Sequence, residues 1–382
     1  MSSRFTSLDV FRGATVALMI LVNNPGSWAH LYTPLAHAGW HGATPTDLVF
    51  PFFLFAVGNA MAFTLPRLQD APARAFWRKV GWRTLLIFGI GLLLNAFPFV
   101  RYDAEGHLVV KTFDRLRIPG VLQRIALCYL LAAAAVRLLG DRGAAYASAA
   151  TLLGYWGLCL AFGRPGDPYS LEGWFGTAVD KAVLGENHLY RGEGLPFDPE
   201  GIMSTLPATV QVLIGYLAGR HIIRKGMQWE MLGNLLAVAL LLVLAGFCWH
   251  LAFPINKKIW TSSYVLYTGG LAMATLGVAV WLIEFHHRNG PWSRFFLAFG
   301  RNPLFVFVLS GVVAKSYTLF RIADTGPDGS PVHRSLGGWM YEHLFAPAFG
   351  PMNGSLLYAV AHIVAFWAVC RQLDRKGIHV RV

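Results

Sequence analysis

The chain has 382 residues, of which 55% are hydrophobic and 14% charged, and its mean hydropathy is +0.47. Ordinary soluble domains carry about 25% charge, so this composition excludes a soluble globular fold. The net charge of +12 suits loops that face anionic lipid; its basic residues are scattered among loops without interleaved aromatics, which argues against a nucleic-acid partner.

A membrane-crossing helix needs about 20 mostly apolar residues. Scanning at that length predicts ten spans, at 8–24, 46–64, 80–100, 118–139, 144–163, 202–220, 230–252, 262–284, 295–314 and 352–373. The expected fold is therefore an all-α polytopic bundle, a single membrane domain over 1–382 with both termini on one side; the Pro-containing stretch from Gly311 to Pro351 has room for an eleventh span. Arg12 and Gly13 run straight into the first apolar helix with no cleavage pattern after it, so that span is expected to be retained. Cys128, Cys159, Cys248 and Cys370 each lie in an apolar segment without a CxxC pair, which predicts neither a disulfide framework nor a zinc site.

Basic residues set the orientation. The N-terminus, the loop with Arg67, Arg74, Arg78 and Lys79, the turn at Arg142, Arg220 to Lys225, the loop with Arg288 and Arg294, and the tail from Arg371 to Arg381 form one set, expected to be cytoplasmic. The opposite set is 25–45, which has no Lys or Arg, the acid-rich loops 101–117 and 164–200, and 253–261 and 315–351. Loop 164–200 is long enough to be functional and is expected to cover the outer mouth.

Between the first two spans lies a polar stretch in a chain otherwise poor in polar groups. Asn23 and Asn24 end the first helix before Pro25-Gly26, where they either cap and turn the chain or hydrogen-bond a substrate. His37, Trp40, His41 and Asp47 follow. Thr46 can cap the second helix, and an acid in its first turn suits the helix dipole; the convergence of two His, an Asp and two Asn on one outer loop points beyond capping. Within or near the spans lie Asp9, Arg12, Arg83, Asn95, Gln123, Arg124 and Arg301-Asn302. Cations at such positions need partners, and a phosphate ligand is one that would satisfy Arg124. No Walker loop, zincin motif or nucleophile elbow is present.

Seven blocks carry a family pattern: Ser7-Leu8-Asp9-Val10-Phe11-Arg12-Gly13, Val22-Asn23, His37-Ala38-Gly39-Trp40, Asp47-Leu48-Val49-Phe50-Pro51, Arg117-Ile118-Pro119-Gly120-Val121-Leu122-Gln123-Arg124, Phe197-Asp198-Pro199-Glu200-Gly201 and Asn256-Lys257. In this order they resemble the heparan-α-glucosaminide N-acetyltransferase family of transmembrane acyltransferases, and the chain is similar to its short bacterial branch. The resemblance implies a multi-pass protein of the bacterial inner membrane, a homodimer. It implies acetyl transfer from cytosolic acetyl-CoA to the amine of glucosamine or a related amino sugar on the far side, without a metal.

The family's active histidine corresponds to His37, its neighbouring asparagine to Asn23 and its acidic residue to Asp47; at His41 the lysosomal enzyme has asparagine instead. His37 is then either a general base or a nucleophile that carries the acetyl group. Arg4, Arg12, Arg124 and Arg83 are the cations expected to hold the CoA phosphates from the inner side, with a tunnel leading up to His37. Asn24, Trp40 and His41 are expected to contact the acceptor. Two other functions fit the polar spans: an amino-sugar transporter, which would place its site at broken helices, and acetylation of a cell-surface polysaccharide. Neither an inverted repeat nor paired broken helices are visible in the sequence.

Overall fold

The computed structural model describes residues 5–69, 71–103, 105–326 and 330–380, with the backbone alone for Arg67 and Gln69. It is mostly helical. The main helices are α1 (Thr6–Asn23), α2 (Val49–Thr64), α3 (Ala73–Ala96), α4 (Val121–Phe162), α5 (Gly176–Leu184), α6 (Ile202–Lys225), α7 (Trp229–Trp249), α8 (Ser262–Val280), α9 (Pro291–Arg301), α10 (Pro303–Tyr317) and α11 (Pro351–Arg375). Among the described residues, eight helical segments are long and apolar enough to cross a membrane, and nine if α9 and α10 count as one broken span.

At 42 residues, α4 would be about 63 Å long if straight, twice a bilayer core. It is not straight. Gly140 sits at φ 68°, ψ −176° in its middle, a conformation that a Cβ would oppose. Arg124, near one end, stacks over Trp260 at 5.1 Å, while Tyr155, near the other, hydrogen-bonds the carbonyl of Ile259 at 2.6 Å. A straight helix would hold those two residues about 46 Å apart, so α4 doubles back at Gly140 as two antiparallel arms.

The expected continuous span at 295–314 is instead broken: α9 and α10 meet at 80°. Pro303 has no N–H and disfavours helical geometry in the residue before it, and Asn302 accordingly leaves the helix at φ −131°, ψ 47°. The C-terminal segment packs against this break. The Asn302 carboxamide accepts from Val380 N at 2.7 Å and donates to Ile378 O at 3.4 Å.

Without a hydrophobic drive between helices in lipid, close approach needs small residues. A Cβ on Gly58 of α2 would lie 1.9 Å from Val212 O of α6, and one on Gly215 of α6 would lie 2.1 Å from Phe55 O of α2. That contact centres α6, the most buried candidate span at 72%, whereas α7 and α11 at 28% lie at the periphery. The largest core cluster joins Leu54, Phe55, Ala126, Val212, Tyr216 and Leu276 from α2, α4, α6 and α8, all fully buried. The bundle is not purely helical outside its spans: β1 (Val100–Tyr102) pairs antiparallel with β2 (Leu108–Val110), and β3 (Arg321–Thr325) with β4 (Pro331–Ser335). Both hairpins fall where outer loops are expected.

Candidate active site

The segment between α1 and α2 folds around the carboxylate of Asp47. Its Oδ2 accepts from Ala38 N at 3.0 Å and Thr44 N at 3.0 Å. Thr44, not Thr46, is the capping residue, in a reciprocal capping box with Asp47. Thr46 turns its hydroxyl to Pro34 O at 3.2 Å instead. Gly42 supplies the φ of +100° that the turn needs, and its N–H donates to Ile255 O at 2.7 Å, tying this loop to the one before α8. Tyr264 of α8 donates to the backbone carbonyl of Asp47 at 2.6 Å.

That scaffold holds three side chains together. His37 Nδ1 lies 2.7 Å from Asp47 Oδ1, and Lys257 Nζ lies 3.3 Å from the same oxygen and 3.1 Å from His37 Nδ1. With its N–H given to the carboxylate, the imidazole carries its proton on Nδ1 and leaves the Nε2 lone pair open. Asp47 is 2% exposed and His37 43%, so a fixed, buried acid orients an accessible base. Burial lowers the pKa of Lys257 against the pull of Asp47 and Glu200.

All three border a cavity of about 460 Å³. Asn23 lines it from the end of α1 with its side chain exposed and unpaired among the described residues. Below the polar rim the walls are apolar: Met19 and Val22 of α1, Phe53 of α2, Val121 of α4 and Phe307 of α10. From Asp47 to Phe53 this depth is about 9 Å.

Loop 164–200 packs over the same mouth. Trp40 donates its indole N–H to Tyr169 O at 2.8 Å and lies 5.6 Å from the Phe197 ring; Lys258 binds Glu193 at 2.6 Å and Gly39 O at 2.8 Å. Arg117 forks onto Asp198 at 2.8 and 2.6 Å and also binds Glu200. Asp198 is fully buried. Burial works against the Arg117 charge, but Asp198 and Glu200 outweigh it and hold its pKa above the ordinary value. The Glu200 carboxyl is pushed up by burial and brought below its ordinary range by Arg117 and Arg124.

A family model for the heparan-alpha-glucosaminide N-acetyltransferase catalytic region matches residues 4–246. The chain belongs to this family. It is 27% identical over 365 residues to the human heparan-alpha-glucosaminide N-acetyltransferase, covering 80% of this chain and 52% of that one. The mouse protein of the same name is 26% identical over 386 residues, covering 85% and 56%. The chain thus spans about half the length of the curated relatives it matches.

Of the residues singled out in this N-acetyltransferase family pattern, Asn23, His37, Trp40 and Asp47 converge on the cavity. Asn24 does not: it is buried, and its amide returns to Ile20 O at 2.9 Å, ending its own helix. His41 turns away as well, its Nδ1 accepting from Asn256 Nδ2 at 3.3 Å, and burial lowers its pKa, assisted by His250.

The arginines separate. Arg124 stands at the His37 end of the bundle, not with Arg12. It is 1% exposed, donates to Gly201 O at 3.2 Å and to Ser204 Oγ, and stacks on Trp260. Its Nε and Nη1 are buried without a hydrogen-bond partner among the described residues. Arg12 is at the opposite end, on Asp9 at 3.3 Å and Gly300 O at 3.1 Å. Arg83 lies over the Tyr129 ring at 4.9 Å within the bundle, and Arg4 falls outside the described residues. Among the described residues, neither Arg12 nor Arg83 borders the cavity. Arg117, Glu193, Glu200, Lys257 and Lys258, to which sequence reasoning gave no role, border it together with Asp47.

Proposed function

We propose that this protein transfers an acetyl group from acetyl-CoA to the amine of glucosamine or a related amino sugar at the His37 end of the bundle. The observation that carries this is the Asp47–His37 pair at 2.7 Å with Lys257 beside it, at the rim of an otherwise apolar cavity. A thioester is already activated, so the protein's task is to present a free amine, align it and stabilise the oxyanion. The Nε2 lone pair of His37 serves either route. In direct transfer it removes a proton from the sugar ammonium, and the amine displaces the CoA thiolate. In two-step transfer Nε2 attacks the carbonyl carbon, the C–S bond breaks, and the amine then takes the acetyl group from the imidazole.

Asn23, unpaired at the cavity wall, is placed to donate to the oxyanion, and the apolar lower wall suits the uncharged arm of the donor. Trp40 offers an aromatic face to a sugar ring. Arg12 and Arg83 are the cations we assign to the donor's phosphates on its way in. We place the protein in the bacterial inner membrane as a homodimeric single domain of ten spans, counting both arms of α4 and the broken α9–α10 pair. Both termini are then cytoplasmic, and loop 164–200 faces outward. Acetylation of a surface polysaccharide differs only in the acceptor. A transporter would use the broken helix as its site, but Asn302 there is occupied by the C-terminal tail.

Purified protein given acetyl-CoA and glucosamine should release free CoA, and His37→Ala should abolish this while melting temperature and acetyl-CoA binding persist. Equal turnover in the variant overturns the assignment. Label from acetyl-CoA trapped on the protein without acceptor selects the two-step route.

A further inference from the structure

At the end of the bundle opposite His37, the turn at Gly140 opens a second pocket that acetyl transfer does not use. It is lined by Asp141, Arg142, Arg220 and Arg224. The Asp141 carboxylate accepts from Tyr216 Oη at 2.7 Å and Arg220 Nε at 3.1 Å, and it also binds Arg224. One carboxylate therefore serves two of the pocket's three guanidinium groups. Arg142 is exposed and has no partner among the described residues.

Beside this pocket, along the same helices, runs an apolar groove of about 440 Å³, within the range of ligand sites. Its floor includes Val210 and Ile214 of α6 and its walls include Leu153 of α4 and Val238 of α7. Residues three or seven apart share a helix face. Arg142 stands one turn before Ala145, and Arg224 two turns beyond Leu217, both of which line the groove. The basic pocket is thus the continuation of the groove at one end. Its other end is closed by Trp249, edge-on to Trp156 at 5.7 Å, the kind of aromatic pair found at a membrane interface.

We propose that the pocket and the groove together bind one anionic phospholipid, its phosphate between Arg142 and Arg224 and one acyl chain along the groove. Lipid tails are as apolar as the groove, so its walls contribute shape and van der Waals contact and no hydrophobic selectivity. Selectivity comes from the arginines, whose planar forks match phosphate oxygens and which attract acidic headgroups at a membrane surface. A second copy of this chain fits less well. A two-fold axis along the membrane normal would bring both arginine clusters to the same end, where like charges oppose each other. A soluble phosphate ligand would have no use for the groove, which shares no lining residue with the His37 cavity.

The test is native mass spectrometry of the full-length protein, delipidated in detergent and offered phosphatidylglycerol or phosphatidylcholine. One phosphatidylglycerol should be retained with a preference of roughly tenfold. The double variant Arg142→Gln with Arg224→Gln, which leaves Arg220 to hold Asp141, should lose that preference without losing its fold, and Ala149→Trp, which fills the groove, should lose the lipid. Equal retention of the two lipids, or an unchanged preference in the double variant, overturns the proposal. So does displacement of the lipid by CoA or inorganic phosphate, which would assign the arginines to a soluble anion. A change of oligomeric mass in Ala149→Trp with lipid still bound would assign the groove to a second copy and equally overturn it.

Discussion

Replacing Asp47 by Asn changes one atom, and the local geometry dictates where that atom goes. Oδ2 accepts from two backbone N–H groups, Ala38 and Thr44, both at 3.0 Å, so the amide oxygen must take that position. The NH2 group is then forced into the place of Oδ1, facing His37 Nδ1 at 2.7 Å. It donates there, and the imidazole must carry its own proton on Nε2. The loop stays anchored, but the lone pair that serves either route is gone. An equivalent swap in a Ser-His-Asp triad costs about 10⁴ in rate through the wrong tautomer, or about 5 kcal/mol at 1.36 kcal/mol per tenfold. Acetyl transfer by Asp47→Asn should fall by about that factor in a CoA-release assay, with the melting temperature within a few degrees of wild type. Asp47→Ala should lose activity and lower the melting temperature as well, because the two N–H groups lose their acceptor. Activity in Asp47→Asn within tenfold of wild type refutes the orientation argument.

Lys257→Met removes the ammonium group that lies beside both Asp47 and His37, and kcat/KM for acetyl transfer should fall on the order of tenfold; unchanged kcat/KM would show that Lys257 acts elsewhere. Arg117→Met removes the cation bound by the fully buried Asp198 and by Glu200, which should destabilise the protein by about 3 kcal/mol, read as a lowered melting temperature in detergent. An unchanged melting temperature contradicts that reading. Asp180 lies buried with one oxygen on Ile202 N at 2.8 Å and the other unpartnered. Burial raises its pKa from 3.8 to about 6. The folded state therefore holds this proton more tightly than the unfolded chain does. The resulting stability is complete below the unfolded pKa and is lost as pH rises through about 6. Asp180→Asn, with no proton to lose, should match wild type near pH 4 and exceed it above pH 7 by up to about 3 kcal/mol; parallel melting curves at both pH values would refute the shift.

The helical membrane bundle was legible in the sequence because a bilayer demands about 20 apolar residues per crossing and imposes that length on the chain itself. The stretch from Asn23 to Asp47 stood out for the same reason: a cluster of His, Asp and Asn is conspicuous where polarity is costly. Spacing separated two spans at 118–139 and 144–163, but the apolar run over 295–314 read as one span and hid the 80° angle between α9 and α10. Composition could not say which polar residues face the cavity. Asn23 and Asn24 are adjacent, yet one helical step of about 100° sends Asn23 to the cavity wall and Asn24 back to Ile20 O. Nor could spacing bring Lys257 to His37, 220 residues away, or Arg117 to Asp198, 81 away. Such partners are chosen by how antiparallel helices bring their ends together. Arg124 shows the same limit from the other side. The sequence marks it as a costly cation that needs a partner, and the fold decides that its partners are Gly201, Ser204 and Trp260, on the same side of the bundle as His37.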